Sequence, residues 1–169
     1  TANSLGPVEY DGNPKTVELM IQDLERFYNE GDTRPWQHGG GLWGAPTDKV
    51  YYISPLDAPV ECHCEYCKPL MDWEGPRLGI ASRVVGEFVA KMGREIEKRW
   101  PGKMVAFLPY SNYTLPPEGV EFPDNVVASI CLMRGAANAK EPAIAAEHDA
   151  MIAGWLKLTK NRPVRLWEY

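Results

Sequence analysis

Four short runs, "KVYYISPL", "MVAFLPY", "NVVASICLM" and "PVRLWEY", are nearly continuous in branched, aromatic and aliphatic residues. Their apolar positions do not alternate with polar ones, so neither face of such a strand is meant for water. That pattern suits strands buried on both faces, as in a parallel sheet. Parallel neighbours need a long crossover between them, and the intervening segments supply it. "SRVVGEFVAKMGREIEKRW" places Val85, Phe88, Val89, Met92 and Ile96 on one helical stripe and is stopped by "PGK". "EPAIAAEHDAMIAGWLKLTKN" does the same with Ile144, His148, Met151, Ile152 and Trp155. Ahead of the first run, "NPKTVELMIQDLERFYNEGD" sets Val17, Ile21, Leu24 and Tyr28 at helical spacing, with Asn13 as cap, Pro14 at the first position and Gly31 as the stop. Helices alternating with buried strands predict an α/β fold of parallel βα units, about four strands and three main helices.

One connection is irregular. "SNYTLPPEGVEFPD" is too rich in Pro and Gly for a regular helix, so the second crossover is expected to run mostly as loop. "WQHGGGLWGAP" is expected to be a surface loop, with neither the spacing nor the Lys of a phosphate-binding loop. A chain of 169 residues is the size of one domain able to bury its own core. The reading is a single domain over 1–169, with an extended segment over 1–12 and a Cys-containing loop over 58–80. A net charge of −5 argues against nucleic-acid or anionic-membrane partners, which draw binding energy from clustered Lys and Arg. No run approaches the length of a membrane span, and "TANSLGPVEYDG" lacks the charged start and apolar centre of a signal peptide. The compartment is left open; a secreted or periplasmic protein with its signal removed fits equally.

Ligands of parallel α/β folds bind outside the carboxyl ends of the strands. The first strand leads into Asp57 and Glu61, the second into Tyr110, Asn112 and Tyr113, the third into Cys131 and Arg134, and the fourth into Trp167, Glu168 and Tyr169. Carboxylates at the mouths of different strands, flanked by aromatic rings, are what cleavage of a glycosidic bond requires. One carboxyl protonates the leaving oxygen, the other stabilises or attacks the oxocarbenium centre, and ring faces hold the sugar. The structural alternative has Asp57 capping a loop and Glu168 pairing with an Arg. Trp43 and His38, in the Gly-rich loop, either border a sugar site or pack that loop down. Arg134 suits the carboxylate of an acidic sugar, or fixes Glu168. His148, on an apolar stripe, reads as a core residue.

"ECHCEYC" concentrates Cys62, His63, Cys64 and Cys67 in six residues. Zinc takes four soft or imidazole ligands, and C-x-x-C spacing lets two thiolates reach one ion, with His63 or the distant Cys131 completing the set. No second C-x-x-C pair is present, and in an extended segment His63 points away from its neighbours. A redox pair needs a helix N-terminus to acidify a thiol, which "KPLMDWEGP" does not provide. The favoured reading is therefore structural: buried thiols or one disulfide, Cys62 to Cys67, shaping a loop beside Asp57, with no cofactor and zinc as the alternative.

The order "ISPLDAPVECHCEYC", then "S..V..FV..M...I...WPGK...FLPY....PP", then "P.NVV", then a Trp-bearing helix and "VRLWEY", resembles the glycosidase-like (β/α)8-barrel family known as domain of unknown function 4838, related in fold to alpha-glucuronidases. The likeness runs from about Val50 to the C-terminus, and the Asp followed by C-x-C-x-x-C is its most specific part. It implies part of a TIM-type barrel whose strand ends act on carbohydrate. Laid on that barrel, the four strands resemble the fourth to seventh. The acid/base of related enzymes follows the fourth strand and the nucleophile ends the seventh, which implies Asp57 and Glu168 as the catalytic pair. Tyr110, Asn112, Arg134, Trp167, Trp43 and Glu61 then shape the pocket. The usual Asn-Glu pair after the fourth strand is absent, which weakens Asp57, or Glu61, as the acid.

A full barrel takes about 250 residues, and an open part of one leaves sheet edges and a face to be covered. The expectation is either a piece of a longer enzyme or a homo-oligomer, most simply a homodimer, in which each copy supplies the strands the other lacks. The leading functional expectation is a glycoside hydrolase. The alternatives are a carbohydrate-binding or assembly module without turnover, and a Cys-centred metal protein.

Overall fold

A computed structural model of the chain describes residues 13–34, 46–53, 58–132, 140–160 and 162–168. The first helix, α1 (Pro14–Glu30), begins where the Asn13 side chain accepts the N–H of Lys15 at 2.9 Å. It ends at Gly31, whose φ of 69° lets its own N–H and that of Asp32 satisfy the last carbonyls of Phe27 and Arg26. Val17, Met20, Ile21 and Leu24 are buried along one stripe. Just past the helix, Asp32 accepts from both Arg26 and Arg34, and these bonds, that from Arg34 foremost, hold its carboxyl well below the usual range.

The remaining elements follow in order: β1 (Val50–Ile53), α2 (Ser82–Arg99), β2 (Met104–Phe107), β3 (Val126–Leu132), α3 (Pro142–Leu158) and β4 (Arg165–Glu168). The strands form one parallel sheet in the order β1-β2-β3-β4. Every described strand pairs with its neighbour in sequence, so among these strands the order has no reversal of the kind that puts helices on both faces of a doubly wound sheet. The register aligns Tyr51 with Val105 and Val126, and Ile53 with Phe107 and Ala128. These residues, with Ile130 and Leu132, form the helix-facing side of the sheet and share one core with Leu24, Val85, Val89, Met92, Ile96, Met151 and Trp155.

The opposite face carries Tyr52, Ala106, Val127, Ser129, Cys131, Arg165 and Trp167, because side chains alternate along a strand. Tyr52 is 38% and Trp167 44% exposed. The expectation of strands buried on both faces thus holds in the middle of the sheet and fails at its margins: all four residues of β4, an edge strand, are exposed. The described strands make an open sheet and do not close into a barrel.

The second crossover is the loop anticipated from its prolines. It contains one 3₁₀ turn, Ser111–Tyr113, and lies between α2 and α3. The Ser82 hydroxyl donates to the Leu115 carbonyl at 2.7 Å, and Trp155 Nε1 donates to the Thr114 carbonyl at 2.9 Å. Phe122 sits 5.7 Å from Phe107 and 6.1 Å from Trp155, so the loop contributes an aromatic side chain to the core in place of a helix. The stripe foreseen on α3 is only half realised: Met151 and Trp155 are buried, whereas Ile144, His148 and Ile152 are half-buried. No helix among the described residues is long and apolar enough to cross a membrane.

Candidate functional site

Among the described residues, the segment after β1 is tied to the turn that follows β2 by one side chain in particular. Asn112, on the 3₁₀ turn that follows β2, accepts the Val60 N–H at 3.0 Å and donates to the Val60 carbonyl at 2.8 Å. Its own carbonyl accepts the N–H of Ala81 at 2.9 Å. One residue therefore ties down both ends of the Cys-containing loop, at the carboxyl ends of β1 and β2. Ser111 makes this possible with a left-handed φ of 51°, uncommon outside glycine. Asn112 is 7% exposed and its amide is turned to backbone.

Within the loop, the Lys68 N–H reaches the Cys64 carbonyl, and the N–H groups of Leu70 and Met71 reach that of Cys67, which folds the chain into a tight turn ending in the 3₁₀ turn Lys68–Leu70. The turn gathers the sulfurs of Cys62, Cys64 and Cys67 to within 4.8 Å of one another. Of the two alternatives, buried thiols or a Cys62–Cys67 disulfide, the structure has the thiols: none of the four cysteines is in a disulfide. Cys67 is fully buried among core residues, and Cys62 and Cys64 are half-buried. The Cys67 N–H donates to Cys64 Sγ at 3.4 Å. That bond, with donation from the Cys62 thiol and the Tyr66 N–H, moves the Cys64 thiol below its ordinary pKa of 9.0. His63 turns the other way, as its neighbours require in an extended segment. Its ring stacks on Trp73 at 4.7 Å and 8° between planes.

The other sequence-derived residues divide into three groups. Asp57, Arg134 and Trp43, with His38 and Tyr169, lie outside the described residues, as does the segment over 1–12. Glu61 is exposed on the loop, and Tyr110 is half-buried against the core. On β4, Trp167 is opposite Cys131 and so belongs to the open face, whereas Glu168 is opposite Leu132 and falls in the helix-side row. Trp167 and Glu168 are thus adjacent in sequence and on different sides of the sheet.

Sequence reasoning missed the clamp of Asn112 on Val60. A polar residue at a strand end was the signal, but its target is backbone 52 positions away. An open cleft lined by Arg94, Glu97, Met104, Glu121, Asp124 and Lys160 lies at the amino-terminal end of β2, away from all of these groups.

The carboxyl ends of β1 and β2 therefore carry the Asn112 clamp, Tyr110 and the loop with the thiol cluster, while the β4 tip lies at the other margin of the described sheet. No curated protein and no solved structure matches the chain significantly. The family model described as a domain of unknown function (DUF4838) matches residues 42–169, most of the chain, and the protein belongs to that family.

Proposed function

We propose that the chain is part of a (β/α)8-type barrel that acts on carbohydrate as a glycoside hydrolase. The observation that carries the reading is the strand order: consecutive, parallel and without reversal, with the helix-side core on one face and Tyr52 and Trp167 exposed on the other. A sheet wound in one direction covers its second face by curving on itself, and in such barrels chemistry sits at the strand carboxyl ends. Further strands, from a longer chain or a second copy, would cover β4.

In this reading Asp57, with Glu61 as the alternative, protonates the leaving oxygen, and Glu168 stabilises or attacks the anomeric carbon. Trp167 offers its face to sugar C–H surfaces. Tyr110, Trp43 and Arg134 border the site, and Asn112 serves it by holding the rim. The test is a screen of chromogenic and oligomeric glycosides, glucuronides included, with Asp57→Asn and Glu168→Gln alongside the parent. Each substitution is expected to lower turnover by about 10²–10⁴-fold. Turnover unchanged in both variants rules the pair out.

The register of β4 favours a second reading. With Glu168 in the row of Leu132, its carboxylate reaches the mouth only around the strand tip, which suits a module that binds glycan without cleaving it. Binding would then weaken about tenfold in Trp167→Ala, the scale of one lost aromatic contact. Release of reducing sugar from any bound glycan removes this reading.

A further inference from the structure

We propose that Cys62, Cys64 and Cys67 form a three-thiolate site for a soft divalent cation of the zinc class. Three observations converge on it. The first is spacing. Sulfurs bound to one tetrahedral zinc at about 2.3 Å stand roughly 3.8 Å apart, whereas a disulfide demands about 2.05 Å. The three sulfurs lie within 4.8 Å of one another, so small side-chain adjustments bring all of them onto one ion.

The second is the direction of the backbone. The N–H of Cys67, three residues on, is aimed at Cys64 Sγ at 3.4 Å. A neutral thiol is a weak acceptor; a metal-bound thiolate carries the charge that makes such a bond strong. The third is the support behind the ligands. Cys67 is packed into the core and the loop is held at both ends by Asn112, so the thiols are presented by a fixed turn. His63 is not among the gathered ligand groups; its ring lies against Trp73 instead. Three thiolates leave the fourth position to water, and the ion cross-links the rim of the strand mouth. This holds whether or not the chain cleaves glycosides.

The test uses the whole chain, reduced and purified, titrated with Co²⁺ and then Zn²⁺. The expected result is about one equivalent of Co²⁺ with tetrahedral visible bands and thiolate charge transfer, displaced by Zn²⁺. Cys64→Ser or Cys62→Ser should remove about a third of the charge-transfer intensity and weaken Zn²⁺ binding at least tenfold or so, with Cys131→Ser unchanged. Because a substitution can also disturb the loop, alkylation of the parent by iodoacetamide gives an independent readout: Zn²⁺ should protect Cys62 and Cys64. A reduced, folded chain that shows no thiolate charge transfer, a spectrum unaltered in Cys64→Ser, or alkylation indifferent to Zn²⁺ overturns the proposal.

Discussion

Asn112 carries more of the candidate site than any titratable side chain around it. Asn112 is buried and its two bonds reach the half-buried Val60, so removing the amide takes a partner from a backbone donor and from an acceptor. Asn112→Ala is expected to destabilise the protein by about 1–3 kcal/mol, since the two groups it leaves are only partly shielded from solvent. Asn112→Asp is expected to be no milder, because a carboxylate still accepts from the Val60 N–H but repels the Val60 carbonyl. Urea unfolding of both variants measures this, and wild-type stability in either contradicts the clamp. At this scale the sequence was legible in part. C-x-C-x-x-C spacing permits the sulfurs to meet, and the turn brings them within 4.8 Å of one another. It did not choose between bridge and thiols, because the same spacing serves both. Nor did it reveal that Asn112 faces a peptide, because that partner is set by the fold.

The helices were legible almost to the residue where local chemistry sets them. Asn13, Pro14 and Gly31 bound α1 as expected, and the stripe of Val85, Phe88, Val89, Met92 and Ile96 is buried along α2. What sequence could not disclose is why α2 contains two glycines. A Cβ at Gly93 would stand 2.6 Å from Val126 Cγ2 and 2.8 Å from Pro123 Cγ, and one at Gly86 would stand 2.7 Å from Pro117 Cγ. Each glycine is a notch into which the crossover loop or β3 fits. On an exposed helix surface Gly→Ala would gain about 1 kcal/mol, but overpacking of this kind costs about 1–3 kcal/mol. Gly93→Ala is therefore expected to destabilise by up to about 2 kcal/mol. A raised urea midpoint in that variant would show that β3 and the loop yield freely. The half-realised stripe of α3 has the complementary cause: only Met151 and Trp155 are buried, and Trp155 packs on Phe107 and Phe122.

For the molecule as a whole, the alternation of apolar runs with amphipathic segments was sufficient to foresee parallel βα units, because few other arrangements bury both kinds of segment. Closure was not legible, since it depends on curvature and on what covers β4 rather than on any run of residues. The consecutive strand order has a further consequence, for the way the chain acquires its structure. Among the described strands, each from β2 onward pairs with the one before it, so in a polypeptide emerging from the ribosome that partner has already been made. Every new strand finds its template already made, yet the paired residues stand far apart in sequence, Val50 opposite Met104 and Ser129 opposite Arg165, and the loop that must close first makes parallel pairing slow. Loss should run in reverse. Amide exchange is expected to be slowest in β2 and β3, which have a neighbour on each side, and fastest in β4. Protection of β4 equal to that of β2 would mean that the sheet melts as one unit and is not peeled strand by strand.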